Sequence, residues 1–492
     1  MLIEMSEQIV QKVKDAGVVG AGGAGFPTHV KIAAQVDTVI ANGAECDPLL
    51  HCDQQLMTTR APEIIKGLRL VMQASGAERG IIALKREYTG AVAALQSNIQ
   101  YPIPNTQHQG GNISLHLMES HYPAGDEFVL VYEVTGRLVP ETGLPLHVGC
   151  IVQNVGTLFN VARAQRGIPV THRLLTVTGA VNEPRTMNLP IGAPISEAVA
   201  WAGGIKIPRW SARAEEDYAV VVGGPMMGRL AERLSEPVIK TTTGLIVLPS
   251  NSPVVRSLRR PLGSWVKRGR STCDQCRDCT NLCPRYLLGH DLEPHKVMRS
   301  INYGLTEPTA IVTAAVLCCE CRLCEAYACP LGLSPMAYYQ EIKRQLAPPP
   351  SSPPTLGGKK ERGTPSSSPP ELGGKEGGRW ENVVHKRSDL TPHPMREYRR
   401  VPMKRLVARL GLSEYEECAC PLDEREYRPQ RVAIPLKQHI GAPSQLVVKI
   451  GDRVQRGDLI ARIPEDKLGA NVHASISGRV EAVTGEHIVI VA

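Results

Sequence analysis

Between residues 36 and 165 short β-branched runs (Val36–Ala41, Gly80–Leu84, Ile113–Met118 and Cys150–Val155) alternate with amphipathic stretches of helical period (Ala61–Ala74, Thr89–Ile99 and Gly156–Arg166). That alternation predicts helices layered on a sheet, an α/β domain. From residue 431 the pattern changes. VKIGDRVQRGDLIARI and, after a short connection, VHASISGRVEAV pair alternating apolar positions with glycine turns, which predicts a flattened sandwich of short strands. Between these regions, PPPSSPPTLGG and its near-repeat SSSPPELGG form a Pro/Gly/Ser-rich stretch that cannot bury a core and is expected to be a disordered linker, 347–382. No run of about 18 apolar residues occurs, so no membrane-spanning helix is expected.

The strongest chemical signal is a pair of cysteine runs, Cys273-x2-Cys276-x2-Cys279-x3-Cys283-Pro and Cys318-x2-Cys321-x2-Cys324-x4-Cys329-Pro. Three thiolates at this spacing wrap one corner of an iron–sulfur cube and a fourth follows before a proline, so two runs predict two [4Fe–4S] clusters. In two-cluster ferredoxins the fourth cysteine crosses to the other cluster. This assigns Cys273, Cys276, Cys279 and Cys329 to one centre and Cys318, Cys321, Cys324 and Cys283 to the other. Structural zinc would call for separated cysteine pairs or histidines at ligand spacing, and neither run contains a histidine. In the doublet Cys318-Cys319 only Cys318 restores the x2-x2 spacing, leaving Cys319 as a spare buried thiol. Cys52 and Cys150 are read as buried thiols, and Cys418-x-Cys420 as a pair able to bind metal but lacking further ligands.

A chain of 492 residues exceeds one ordinary core, so several domains are expected. The excess of 56 Lys+Arg over 48 Asp+Glu gives a mild +8, only 4% of residues are aromatic and no nucleic-acid motif accompanies the basic residues, so a nucleic-acid partner is not expected. The opening MLIEMSEQIVQKVKD has charges where a secretory signal has an apolar core, and a reducing cytoplasm is the expected compartment.

The glycine run Gly20-Ala-Gly-Gly-Ala-Gly-Phe-Pro27 allows backbone to approach a ligand and successive N–H groups to cradle phosphate, especially where Pro27 and Thr28 open a helix. It lacks the Rossmann spacing and no strand precedes it. In order along the chain, GAGGAGFPTHVK, NGAECDPLLHCD (42–53), YPAGDE (122–127) and VQNVGT (152–157) resemble the flavin-site segments of the respiratory complex I flavoprotein subunit and its relatives, which include the RnfC proteins and the cobalamin reductases of bacterial microcompartments. VTGAVNEPRTMNLPIGAPISEAVAWAGG (177–204) and VGGPMMGR (222–229) resemble the β-grasp (SLBB) domain of the same group.

That resemblance implies a multidomain α/β protein: an FMN/NADH-binding α/β domain (1–170), a β-grasp domain (171–250), a helical ferredoxin-like domain with two [4Fe–4S] clusters (251–346), the linker, a basic connecting segment (383–430) and a lipoyl-like barrel-sandwich hybrid (431–492). It implies that Gly20, Gly22, Gly23 and Gly25 line an FMN pocket, with Lys31 countering the phosphate. Asn42, Glu45 and Cys46 would contact the ribityl chain or ring, Gly125, Asp126 and Glu127 would lie beside the ring, and Gln153, Asn154 and Thr157 would complete the phosphate end. Phe26 and Asp47 fall where relatives hold NADH, and the resemblance gives Glu45 and Asp47 the catalytic roles. The chain departs from its relatives at Ala21, Ala44 and Asp47, where they carry Arg, Asp and Glu.

NADH gives up two electrons as hydride whereas a cube accepts one, so a flavin must stand between them. The implied activity is NADH-dependent reduction of cobalamin, serving a B12-dependent enzyme, with a cobalamin adenosyltransferase and shell proteins as partners and a location within or at a microcompartment. The sandwich module lies at the N-terminus of RnfC proteins and at the C-terminus of the microcompartment reductases, and here it is C-terminal. Alternatives are an RnfC-like component of an ion-translocating membrane complex and an electron-wiring protein without an NADH site of its own. Lys467 stands eleven residues before Gly478, as the attachment lysine does in a lipoyl domain, and is read as a solvated hairpin lysine.

Overall fold

The structure, a computed structural model, describes residues 2–100, 112–206, 217–305, 309–346, 385–416 and 418–492. The linker expected at 347–382 lies outside the described residues. The chain divides into two units: Met1–Val139, Leu144–Arg260 and Arg400–Ala492 form one, Pro140–Gly143 and Pro261–Arg399 the other.

The first unit opens with α1 (Leu2–Asp15), the glycine loop and α2 (Thr28–Ile32). Then come β1 (Thr38–Gly43), α3 (Cys52–Thr59), α4 (Ala61–Ser75), β2 (Arg79–Lys85), α5 (Thr89–Gln100), β3 (Asn112–Met118), β4 (His121–Tyr122), α6 (Glu127–Thr135), β5 (Cys150–Asn154) and α7 (Val155–Ala164). The strands form a parallel sheet in the order β3-β2-β1-β5. Helices cover both faces, which is why the centre of β1, Val39-Ile40-Ala41, is apolar on both sides. Val39 and Ala41 pack with Ile64 and Leu68 of α4 and Leu158 of α7. Ile40 and Val152 point to the opposite face with Leu130 and Val131 of α6. Helices α4 and α7 cross closely because Gly67 has no side chain: a Cβ there would stand 2.0 Å from the Leu158 carbonyl oxygen.

From β1 the chain adds β2 and β3 on one side, then returns to place β5 on the other. That reversal opens a crevice at the carboxyl ends of β1 and β5, the place where open α/β sheets bind ligands.

A second sheet contains β6 (His172–Gly179), β7 (Arg185–Pro190), β8 (Tyr218–Val222), β9 (Arg229–Leu230) and β10 (Gly244–Pro249), with α8 (Ile195–Trp201) packed on it through Ile195, Ala198 and Val199. The segment 383–430, expected to be a connection only, is divided. Residues 385–399 belong to the second unit, whereas β11 (Val401–Pro402) pairs with β4 and β12 (Leu422–Asp423) extends the second sheet beside β7. Two-residue edge strands carry no period in sequence, so nothing local announced them.

The C-terminal strands β13 (Arg431–Pro435), β14 (Gln445–Leu446), β15 (Arg453–Val454), β16 (Leu459–Arg462), β17 (Val472–His473), β18 (Gly478–Val483) and β19 (His487–Val491) form sheets of order β13-β19-β18-β15 and β14-β16-β17. Val432, Ile434, Val480, Ile488 and Ile490 join the same core cluster as the helices of the flavin-type sheet.

In the second unit the helices Leu262–Thr272, Pro294–Tyr303 and Pro335–Leu346 pack through Trp265, Met298 and Tyr338. The single proton of the buried Tyr338 hydroxyl points to Asn302 Oδ1 at 2.7 Å, with the Trp265 carbonyl a second acceptor at 3.2 Å.

Candidate redox centres

The two cysteine runs build the same backbone. Gln275 and Arg277 have φ of 61° and 70°, and Glu320 and Arg322 have φ of 57° and 60°. Left-handed residues at these alternate positions curl each loop so that its amides face inward, the geometry of an anion nest. They fall two and four residues after Cys273 and two and four after Cys318, which makes Cys318, not Cys319, the counterpart of Cys273.

One cavity is lined by Cys273, Cys276, Cys279 and Cys329, so the structure gathers the fourth cysteine of the second run beside the first three of the first run. Burial and then the neighbouring Cys329, Cys276 and Cys273 push the Cys279 thiol up to about 12. The other group is Cys283, Cys318, Cys321 and Cys324: burial, then Cys318, Cys279 and Cys283, raise the Cys324 thiol well above its ordinary value. Thiols that raise one another in this way become thiolates only when a cationic centre compensates them, which is the requirement an iron–sulfur cluster meets. Donors to sulfur are in place, with Gln275 Nε2 at 3.2 Å from Cys273 Sγ, Glu320 N at 3.3 Å from Cys318 Sγ and Leu333 N at 3.3 Å from Cys329 Sγ. Such contacts stabilise sulfur charge and tune cluster potentials. Cys319, expected to be buried, is half-buried and lies against Cys321.

At the crevice of the first unit, the exposed Gly22, Gly23 and Ala24 face solvent while Ala21 is tied to the start of α7, its amide donating to Thr157 Oγ1 at 2.8 Å. Arg173 of β6 holds the Ala21 carbonyl at 2.7 Å, a contact from the next domain that no local pattern foretold. Gly23 has φ 108° and open space where a Cβ would stand. Phe26 is half-buried, its carbonyl accepting from Gly20 N at 2.9 Å, and Thr28 begins α2 as the Pro-Thr step predicts. Gly25 is pinned elsewhere: its Cβ position lies 2.9 Å from the Thr241 side chain and 3.4 Å from His439.

Asn42, at the end of β1, donates to the Gly125 carbonyl at 3.0 Å and accepts from Ala44 N at 3.1 Å. Gly125 is close-packed, with its Cβ position 3.1 Å from Cys46 Sγ. Asp126 caps α6 by accepting from Phe128 N and Val129 N. Asn154 caps α7 through Gly156 N. Lys31, expected to counter phosphate, pairs with Glu127 at 2.6 Å.

Glu45 turns toward the start of α3, where it accepts from Asp53 N at 2.8 Å, Gln54 N at 3.2 Å and Cys52 Sγ at 3.0 Å. Burial and then the Asp53 charge raise its pKa far above the carboxylate range. Asp47 reaches the β-grasp domain, accepting from Met226 N at 3.0 Å and Met227 N at 3.1 Å. The Cβ of any residue replacing Gly224 would fall 2.0 Å from the Asp47 carboxyl carbon.

Two buried donors in this region have no acceptor among the described residues, Gln153 Nε2 on β5 and Thr28 Oγ1 at the start of α2. Orphaned donors beside an open glycine loop at a sheet reversal fit an oxygen-rich ligand such as the phosphate and ribityl chain of FMN. Arg173 was not singled out in the sequence, Met226 and Met227 stood only within the VGGPMMGR segment, and Thr28 was named as a helix opener but not as a ligand donor. A threonine opening a helix after a glycine run was the one available signal.

Lys467 lies in an exposed turn between β16 and β17.

Fold and sites together define a class: a flavin and iron–sulfur electron-transfer protein. The chain matches the Nuo51 FMN-binding domain over residues 13–163, the SLBB domain over 174–230, the 4Fe-4S dicluster domain over 272–334 and the RnfC barrel sandwich hybrid domain over 420–490. It is 40% identical to the cobalamin reductase PduS of Salmonella typhimurium, over 99% of this chain and 98% of that one, and belongs to that family. It is 35% identical to a component of the Na(+)-translocating ferredoxin:NAD(+) oxidoreductase complex of Acetobacterium woodii, over 57% of this chain and 59% of that one. Among solved structures, an NAD+-reducing [NiFe]-hydrogenase in the H2-reduced state aligns at a TM-score of 0.46 and 23% identity, covering 70% of this chain and 62% of that one.

Proposed function

We propose that this chain oxidises NADH and delivers the electrons singly, through two [4Fe–4S] clusters, to the cobalt of cobalamin. Bound FMN supplies the conversion between a two-electron donor and one-electron acceptors. The residues given to it are the loop Gly20–Gly25, Asn42, Glu45, Cys46, Gly125, Asp126, Glu127, Gln153, Asn154 and Thr157, with Phe26 and Asp47 on the nicotinamide side. Cys273, Cys276, Cys279 and Cys329 hold one cluster; Cys283, Cys318, Cys321 and Cys324 hold the other.

The chain's own contributions follow from the geometry. The open glycine loop admits a ligand against backbone. Gln153 and Thr28 offer it buried donors. Glu45, its carboxyl raised by burial, can keep a proton at neutral pH beside the crevice. The single observation that carries the reading is full-length similarity to a cobalamin reductase in a chain that keeps both cysteine quartets. No helix among the described residues is long and apolar enough to cross a membrane. The setting we assign is the cytoplasm, within or at a bacterial microcompartment, with a cobalamin adenosyltransferase and shell proteins as partners.

One observation favours a second reading, electron wiring without an NADH site: both Asp47 oxygens are already engaged by Met226 and Met227 amides. Anaerobic, cofactor-replete protein separates the two. NADH-driven reduction of cobalamin supports the reductase; cluster reduction by dithionite with none by NADH supports wiring.

A further inference from the structure

Cys418 and Cys420 stand with their sulfurs 3.2 Å apart. Cys420 is fully buried and Cys418 half-buried, so one sulfur is shielded while the other can meet a solute. The loop that carries them is fixed on both sides. The Ala419 carbonyl accepts from Gln55 Nε2 of α3 at 3.2 Å, the Cys420 carbonyl from Thr186 Oγ1 at 2.9 Å and the Pro421 carbonyl from Thr186 N at 2.9 Å. Cys420 is held at φ 38°, a left-handed conformation that a non-glycine residue keeps only when its surroundings impose it. Neither sulfur belongs to the eight assigned to the clusters. A disulfide needs its sulfurs at about 2.0 Å, so closure requires a movement on the order of 1 Å within a backbone already curled to bring the side chains together.

We infer that Cys418 and Cys420 form a redox-active dithiol that closes to an intramolecular disulfide by exchange with a low-molecular-weight disulfide. The accessible Cys418 thiolate attacks one sulfur of glutathione disulfide, forming a mixed disulfide and releasing one glutathione thiolate. Cys420 then gives up its proton and attacks the Cys418 sulfur, releasing the second glutathione. The protein loses two electrons and two protons, and glutathione disulfide becomes two glutathione thiols. The pair is wired to the flavin-side crevice. Gln55, which holds Ala419, lies on α3, whose first-turn amides hold Glu45. Closing the disulfide pulls on the loop seated on that helix.

The test uses the full-length holoprotein under anaerobic conditions, equilibrated in glutathione buffers of increasing oxidised-to-reduced ratio, with cluster absorbance followed throughout. Free thiols are trapped with N-ethylmaleimide and the protein is digested with trypsin. Cleavage after Arg409 and Arg425 gives one peptide, residues 410–425, whose only cysteines are Cys418 and Cys420. The expected result is a titration from a doubly alkylated peptide to an unalkylated one lighter by two hydrogens, with a single midpoint. Cys420→Ser traps glutathione on Cys418, and Cys418→Ser abolishes the internal disulfide. Should Cys420→Ser not fold, the alkylation titration of the unaltered protein decides the matter on its own. Two alkylated sulfurs at every ratio, with cluster absorbance intact, overturn the inference. So does protection of both sulfurs by stoichiometric zinc that a chelator reverses, which makes the pair a metal site.

Discussion

Asn154 donates through Nδ2 to Asp53 Oδ2 at 2.5 Å, joining the residue that ends β5 to the first turn of α3. The same side chain caps α7 by accepting from Gly156 N at 2.8 Å. One residue thus fixes both walls of the crevice. Asn154→Ala removes a helix cap, worth about 1 kcal/mol, and strips a donor from a buried carboxylate, worth about 1–3 kcal/mol more. We expect a lower Tm and loss of FMN on gel filtration with both clusters kept. Asn154→Asp keeps the cap but opposes a second carboxylate to Asp53, so its FMN loss should deepen as pH rises and recover in mild acid. An FMN content independent of pH in that variant would show that the pair does not shape the pocket.

Metal analysis tests the cysteine quartets. Anaerobically prepared protein should hold close to eight iron and eight acid-labile sulfide per chain, two cubes' worth. Cys279→Ala should remove one cluster preferentially, while Cys319→Ala, at the position outside the repeated loop geometry, should leave both. Loss of a cluster on Cys319→Ala would move the ligand from Cys318 to its neighbour.

Gly23→Val addresses the flavin pocket directly. A Cβ at Gly23 meets no protein atom within 4 Å, so what the new side chain displaces is whatever occupies the open space before the loop. Its φ of 108° adds backbone strain confined to an exposed turn. The expected variant lacks FMN yet keeps iron–sulfur absorbance, which dithionite bleaches and NADH does not. Bleaching by NADH in flavin-free protein would remove the flavin as entry point.

Local pattern carried the repeating parts of this fold. The four parallel strands lie within two residues of their expected bounds because β-branched runs between helical periods are a short-range signal, and the cysteine spacing reports a loop geometry that chelation imposes. What the sequence concealed are contacts between segments far apart in the chain. Asp47 meets Met226 and Met227 across the boundary with the β-grasp domain, Arg173 steadies the glycine loop, and Thr186 holds the Cys420 carbonyl. Packing decides such pairs, and no periodicity precedes them. The family resemblance set Lys31 against phosphate, and the fold sets Glu127 against it.

Lys240 gives a pH test with a definite sign. Its ammonium is buried, donating to the Gly17 carbonyl at 2.7 Å and the Asn471 carbonyl at 2.6 Å, so it binds the end of α1 to the C-terminal sandwich. Burial lowers its pKa from 10.5 to about 7. In the unfolded chain the amine stays protonated up to its ordinary value, whereas the folded protein releases the proton near 7. The unfolded state therefore binds more protons between these limits, and stability rises with pH across that window. Below about pH 7 both states carry the proton and the contribution is flat, at its least favourable. Lys240→Met should abolish the slope between pH 7 and 9.5 in urea midpoints. It should also cost about 1–3 kcal/mol at the upper end, where two buried carbonyls lose their donor. A wild-type midpoint that stays level or falls over this range, with the variant parallel to it, would mean that the buried amine keeps its proton and that the two carbonyls compensate its charge in full.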